Sequence, residues 1–178
     1  MKTSHKISAA PDVRILTTSA LFAALCCMAT TILVVPSPTG GYMNLGDTIV
    51  LLGAYLLGPF WGAVAGGFGS ALADLMAGYP IYAPATFLIK ALMATLAGLL
   101  YCALHKTSWS MVVCAALAEA IMVTGYWLYD GLLLGSLAGS AVGIPSNLLQ
   151  GLFGATASTL LAAAFRKIPY VKDKFPHL

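Results

Sequence analysis

What most constrains this chain is a succession of apolar runs long enough to cross a bilayer, with almost no charge inside them. The hydrocarbon core is about 30 Å thick, and an α-helix needs about 20 apolar residues to span it. Such runs occupy Val13 to Val35, Phe60 to Ala77, Ala83 to Leu104, Ser110 to Tyr129 and Ile144 to Phe165, with a shorter one from Thr48 to Leu57. Only 8% of the 178 residues are charged, against about 25% in soluble domains. A chain so poor in charge cannot solvate a surface around its core, and a mean hydropathy of +0.89 agrees. The sequence therefore predicts one all-α integral membrane domain: a tail at 1–12, a helical bundle over 13–165, and a polar tail over 166–178 at the surface.

The basic start followed by an apolar run has the layout of a signal peptide. The run from Val13 to Val35 exceeds the usual signal-peptide core, and further apolar segments follow, so it reads as a retained first span. It ends at the turn cluster Pro36-Ser37-Pro38-Thr39-Gly40-Gly41. The stretch from Asp47 to Ala77 fits either one kinked span or two short ones turning at Gly58-Pro59. Positive charge separates the two readings, because lysine and arginine accumulate in cytoplasmic flanks. With six spans, Lys2, Lys6, Arg14, Lys106, Arg166, Lys167, Lys172 and Lys174 share one side, leaving only Lys90 of the nine basic residues. With five, Lys106 and the C-terminal cluster separate. Six spans with both termini in the cytoplasm is the better reading.

That topology sorts the remaining polar residues by depth. Asp47 opens the second span and Asp74 lies near the end of the third, both by the outer face. Lys90 sits two turns into the fourth, about 10 Å deep at 1.5 Å per residue. Glu119 is near the middle of the fifth, which Tyr126, Trp127 and Asp130 crown. Asn147 and Gln150 share a face on the outer turns of the sixth, and Tyr42 and Asn44 lie in the first outer loop. The outer half thus carries nearly every group able to contact a ligand. A charge at membrane depth costs about 3 kcal/mol on insertion scales, so it faces a partner or a wet cavity. Two readings stand for Asp74 and Lys90: a structural ion pair between helices, or ligand contacts. Asp47 is a substrate contact or a helix cap. Tyr126 and Trp127 stack on a ligand or belong to an interfacial aromatic belt.

The small residues point to close helix packing. Gly62, Gly66 and Gly69 line one side of the third span, as Gly151 and Ala155 do on the sixth. Ala20 and Ala24 (or Ser19 and Ala23) form a small-residue pair on the first. Gly131, Gly135, Gly139 and Gly143 recur every four residues before the sixth span, as a flexible or a tightly packed connection. Cys26, Cys27, Cys102 and Cys114 lie in apolar runs without metal-ligand spacing. His5, His105 and His177 fall in tails or loops, so no metal site is expected. The net charge of +3 is too dispersed for nucleic-acid binding.

Five stretches, in order, carry a resemblance. They are Asn44-Leu45-Gly46-Asp47, Leu57-Gly58-Pro59-Phe60-Trp61-Gly62, Gly69-Ser70-Ala71-Leu72-Ala73-Asp74-Leu75, Tyr82-Ala83-Pro84-Ala85-Thr86 with Lys90, and Ile144-Pro145-Ser146-Asn147-Leu148-Leu149-Gln150-Gly151. Together they resemble the substrate-binding S components of energy-coupling factor (ECF) transporters. The resemblance implies a six-helix bundle that binds one vitamin or precursor from outside, with the loop Pro36 to Asn44 as a lid. It also implies a membrane coupling protein, docking at Ala20 and Ala24, and two ABC-type ATPases as partners. The chain has no Gly-x-x-x-x-Gly-Lys-Ser/Thr phosphate loop, so energy comes from such a partner. Within that family the pattern is similar to members for hydroxymethylpyrimidine or pyridoxine. The substrate-binding residues expected are Tyr42, Asn44, Asp47, Lys90, Glu119, Tyr126, Trp127, Asn147 and Gln150, with no cofactor and no catalytic group.

Two other classes make different demands. An intramembrane enzyme needs metal-spaced histidines or paired aspartates in one helix, which are missing here. An autonomous transporter or channel needs polar lining through both halves of the membrane, and the inner half is dry.

Overall fold

The computed structural model describes residues 13–104 and 106–178. The expectations placed on Lys2, Lys6, His5, His105 and the 1–12 tail lie outside these residues. The described chain is almost entirely helical: α1 Val13–Ile32, α2 Gly46–Ala77, α3 Ala83–Ala103, α4 Ser108–Leu134, the single turn α5 Leu137–Ser140, α6 Ile144–Phe165 and α7 Pro169–Lys174. Two short strands, β1 Val35–Pro36 and β2 Tyr42–Met43, pair antiparallel between α1 and α2.

The choice between a kinked span and two spans is made at Gly58. Its backbone leaves the helix at φ 82°, ψ 178°, a conformation open essentially to glycine alone, and Pro59 begins a new helix where its missing N–H costs nothing. The arms 46–57 and 59–77 then run antiparallel in contact. A methyl group on Gly62 would lie 2.7 Å from the Ala54 Cα, and one on Gly66 would lie 3.1 Å from Val50. Eight residues of continuous helix would instead hold Gly62 and Ala54 about 12 Å apart. Among the described residues, five helices are long and apolar enough to span a membrane; folding α2 back on itself makes six passes. The first arm is short, about 18 Å against about 28 Å for the second at 1.5 Å per residue.

This hairpin is the centre of the bundle, packed against α1, α3 and α6, while α4 lies between α3 and α6. Gly69 abuts the Ala23 carbonyl of α1, and the Cys26 thiol lies 3.2 Å from the Ser70 hydroxyl. Burial is inverted relative to a water-soluble protein. Leu152 is 67% and Phe68 60% exposed, whereas Asp47, Lys90, Glu119 and Asp130 are buried. That distribution suits a lipid surround, in which apolar side chains face outward and charged ones inward.

The two ends of the bundle differ. One carries the β1–β2 loop and the α5 connection. There Gly131 packs on Leu137 and Gly143 on Thr39, so the glycine-rich connection is tightly packed, with Gly135 supplying a left-handed turn that closes α4. The other end gathers Lys106, Arg166 and the tail. The tail is not simply a polar surface segment: Val171, Phe175 and Leu178 pack against the core. The Lys106 ammonium donates to the Pro176 carbonyl at 2.6 Å, and the His177 ring covers Gly58. Burial, then the nearby Lys106, lowers the His177 pKa, which keeps the imidazole neutral over the hairpin.

Candidate functional site

At the loop end, residues 33–45 fold down over the bundle. Ser37 N–H donates to the Gly41 carbonyl at 2.8 Å, closing the turn between β1 and β2. The turn rests on Tyr82, whose hydroxyl reaches the Thr39 carbonyl at 3.4 Å, and Ser37 meets Ser146 of α6 at 3.3 Å. On the next strand, the Tyr42 hydroxyl donates to Asp74 Oδ1 at 2.6 Å. Burial, reinforced by the Asp74 carboxylate, pushes the Tyr42 phenol far above its usual pKa, so it remains a donor.

Beneath this loop lies a narrow cleft. Its walls come from the loop (Ser37, Thr39, Gly41, Tyr42 and Asn44) and from around the helix ends: Asp74, Tyr82 and Thr86, Tyr126 and Asp130, and Asn147. Tyr42, Tyr79, Tyr82 and Tyr129 form a chain of rings around the mouth, with successive centroids 4.7, 6.4 and 5.5 Å apart. Tyr82 donates to Asp130 Oδ1 at 2.9 Å, and the Thr86 and Tyr126 hydroxyls are 3.0 Å apart.

Under the cleft is a buried polar network. Asp47 accepts from the Lys90 ammonium on one oxygen and from Gln150 Nε2 at 2.6 Å on the other. Gln150 Oε1 in turn accepts the Asn44 N–H at 2.8 Å, which ties the loop to α6 and the hairpin. The ammonium also lies 5.3 Å from the centroid of the Tyr126 ring, within cation–π range.

The expected site residues therefore divide. Tyr42, Asn44, Tyr126 and Asn147 line the cleft; Asp47, Lys90 and Gln150 form its foundation and do not line it. The ion pair expected between Asp74 and Lys90 is instead Asp47–Lys90. The short first arm explains why: the hairpin sets Asp47 level with Gly69, a turn deeper than Asp74 and at the depth of Lys90. Nor does Asp47 cap its helix: the Gly46 N–H donates to Asn44 Oδ1 at 2.9 Å, and the Asp47 oxygens are taken by Lys90 and Gln150. Glu119 is buried against Gly151 and Gly154 of α6, with neither oxygen hydrogen-bonded, and lies outside the cleft wall. Trp127 donates to the Leu137 carbonyl at 2.9 Å on the exposed side, where it braces α5. Tyr82, Thr86, Ser37 and Thr39 were not expected, and Asp130 was placed with the outer polar groups but not among the substrate-binding residues. Spacing held a signal for three of them: Tyr82 and Thr86 precede Lys90 at intervals of four, and Asp130 follows Tyr126 by four. The loop residues had none, because their contacts are with distant helices.

A family model described as "ECF-type riboflavin transporter, S component" matches residues 12–167. The chain belongs to the ECF S-component family. Being an S component, it is a multi-pass membrane protein and a substrate-binding subunit, not an enzyme. A thiamine precursor transporter of Lactococcus lactis, HmpT, is 30% identical over 129 residues, covering 72% of each chain. An uncharacterized Pyrococcus woesei protein is 40% identical over 100 residues, 54% of this S component and 66%, just under two thirds, of that protein. A solved S component of a bacterial ECF transporter superposes with a TM-score of 0.66 at 19% identity, over 86% of this chain and 96% of that one. That likeness concerns the fold.

Proposed function

We propose that this S component captures hydroxymethylpyrimidine or pyridoxine in the cleft beneath residues 33–45 and passes it inward with a membrane coupling protein and two ABC-type ATPases. The observation that carries the reading is the cleft itself: narrow, capped by a loop, and walled by tyrosines and hydrogen-bonding groups. Tyrosine faces suit a flat heterocycle, and the asparagine and carboxylates suit its amino and hydroxymethyl groups. The thiamine-precursor relative supports the same chemistry.

The loop end faces outward in this proposal. Lys106, Arg166, Lys167, Lys172 and Lys174 all follow the opposite end of the bundle, as cytoplasmic flanks do. The coupling protein docks on α1 at Ala20 and Ala24, both exposed, whereas Ser19 is buried and the Ala23 carbonyl is taken up against Gly69. Small residues at a lipid-facing surface allow close approach of a partner helix.

The test is a binding panel on the detergent-purified protein, read by tryptophan quenching and thermal shift. It holds hydroxymethylpyrimidine, thiamine, pyridoxine, riboflavin, biotin, pantothenate and a folate. Tight, saturable binding of hydroxymethylpyrimidine or pyridoxine is expected. Preferential binding of riboflavin, or of nothing in the panel, would reject the assignment.

A further inference from the structure

Among the described residues, one acceptor in the cleft wall has no donor at hydrogen-bond distance. Asp74 is 4% exposed, and its Oδ1 is occupied by the Tyr42 hydroxyl. Its Oδ2 is buried with no donor at hydrogen-bond distance, the neighbouring Thr86 hydroxyl lying 3.0 Å from the Tyr126 hydroxyl instead, and Asp74 lines the cleft. A buried carboxylate oxygen is costly to leave unpaired. The Glu119 oxygens are unpaired as well, but they lie against α6 and outside the cleft wall.

The charge around the cleft is lopsided. Among the described residues, Asp74 and Asp130 both line it, and no lysine or arginine does. The nearest ammonium, Lys90, is committed to Asp47 beneath the Tyr126 ring. A carboxylate-bearing ligand entering this space would face two carboxylates with no cation to offset them, whereas an N–H donor completes the Asp74 acceptor.

Resting on the small-heterocycle reading above, we infer that Asp74 is the specificity-determining residue: its Oδ2 accepts an N–H from the ligand, either an exocyclic amine or a protonated ring nitrogen. The site then takes amino-substituted or protonated heterocycles and rejects anionic vitamins. Because the other oxygen of the same carboxylate holds Tyr42, Asp74 joins ligand selection to loop closure.

The test is calorimetry on the full-length protein with two probes, 4-amino-5-hydroxymethyl-2-methylpyrimidine and its analogue with hydrogen in place of the amine, which has no N–H and a ring too weakly basic to gain one. The wild type is expected to prefer the amine by about tenfold or more. In Asp74→Asn, the side-chain carbonyl can keep the Tyr42 bond while an NH2 replaces the free acceptor, so the preference is expected to vanish or invert. A wild type that binds both probes equally overturns the inference without any variant. So does an Asp74→Asn protein that keeps the wild-type preference, and in either case the small-heterocycle reading survives. A wild type that binds neither probe overturns the inference, and if it fails to bind pyridoxine as well it removes that reading too.

Discussion

Gly62 lies against the backbone of Ala54 with no side chain between them, a methyl group there falling 2.7 Å from the Ala54 Cα. The close approach lets the two arms of α2 fold together and sets the depth of Asp47. Gly62→Leu is expected to destabilise the protein by about 1–3 kcal/mol, seen as a lower melting temperature in detergent. Gly53→Ala is the control, since its methyl would make only an ordinary 3.4 Å contact with Phe22. It is expected to leave stability equal or slightly raised.

The Asp47–Lys90 pair is a stability element beneath the cleft. Both side chains are almost fully buried, so Lys90→Met strands a carboxylate in the bundle, at a cost of about 3–5 kcal/mol. Combining it with Asp47→Asn removes the stranded charge and is expected to restore a good part of the loss. A double-mutant cycle of unfolding measures both; equal destabilisation in the single and double variants would refute the pairing.

Loop closure depends on the Tyr42 hydroxyl. Tyr42→Phe keeps the ring against Tyr79 and deletes the bond to Asp74. A hydrogen bond to a charged acceptor is worth about 1.5–3 kcal/mol, so ligand dissociation is expected to accelerate about tenfold or more, as followed by stopped-flow tryptophan fluorescence. An unchanged dissociation rate would mean the loop is not latched by this bond.

Glu119 separates structure from binding. It lies outside the cleft wall with both oxygens unpaired, so Glu119→Gln is expected to leave ligand affinity unaltered. Neither oxygen has a partner to lose, so the melting temperature is expected to change little. A large loss of affinity would return Glu119 to the ligand shell.

Docking on α1 is testable apart from binding. Leucine at Ala20 and Ala24 together adds bulk to an exposed helix face and is expected to abolish co-purification with the coupling protein and uptake into cells. Ligand affinity of the isolated chain should not change. Normal uptake by this double variant would exclude that face as the docking surface.

Local rules and the surrounding solvent fix what can be read along the chain. Apolar runs of spanning length, interrupted by Gly58-Pro59 and by charged or turn-forming segments, mark the helices to within a few residues. Basic residues placed beyond one end imply the even number of passes that the α2 hairpin makes. The concentration of Tyr42, Asn44, Tyr126 and Asn147 toward one end was legible too, because depth along a helix follows from counting residues. Partnership was not. Asp74 and Asp47 are both acidic residues near helix ends, and nothing local says which of them Lys90 meets. That choice follows from the unequal arms of the hairpin, which lower Asp47 to the level of Lys90 and leave Asp74 at the cleft. Likewise Glu119 has the depth expected of a ligand contact, and only its rotation toward Gly151 and Gly154 of α6 takes it out of the site. Helix position is one-dimensional information carried by the chain; which side chains face each other across helices depends on packing among distant segments, and the tertiary structure alone decides it.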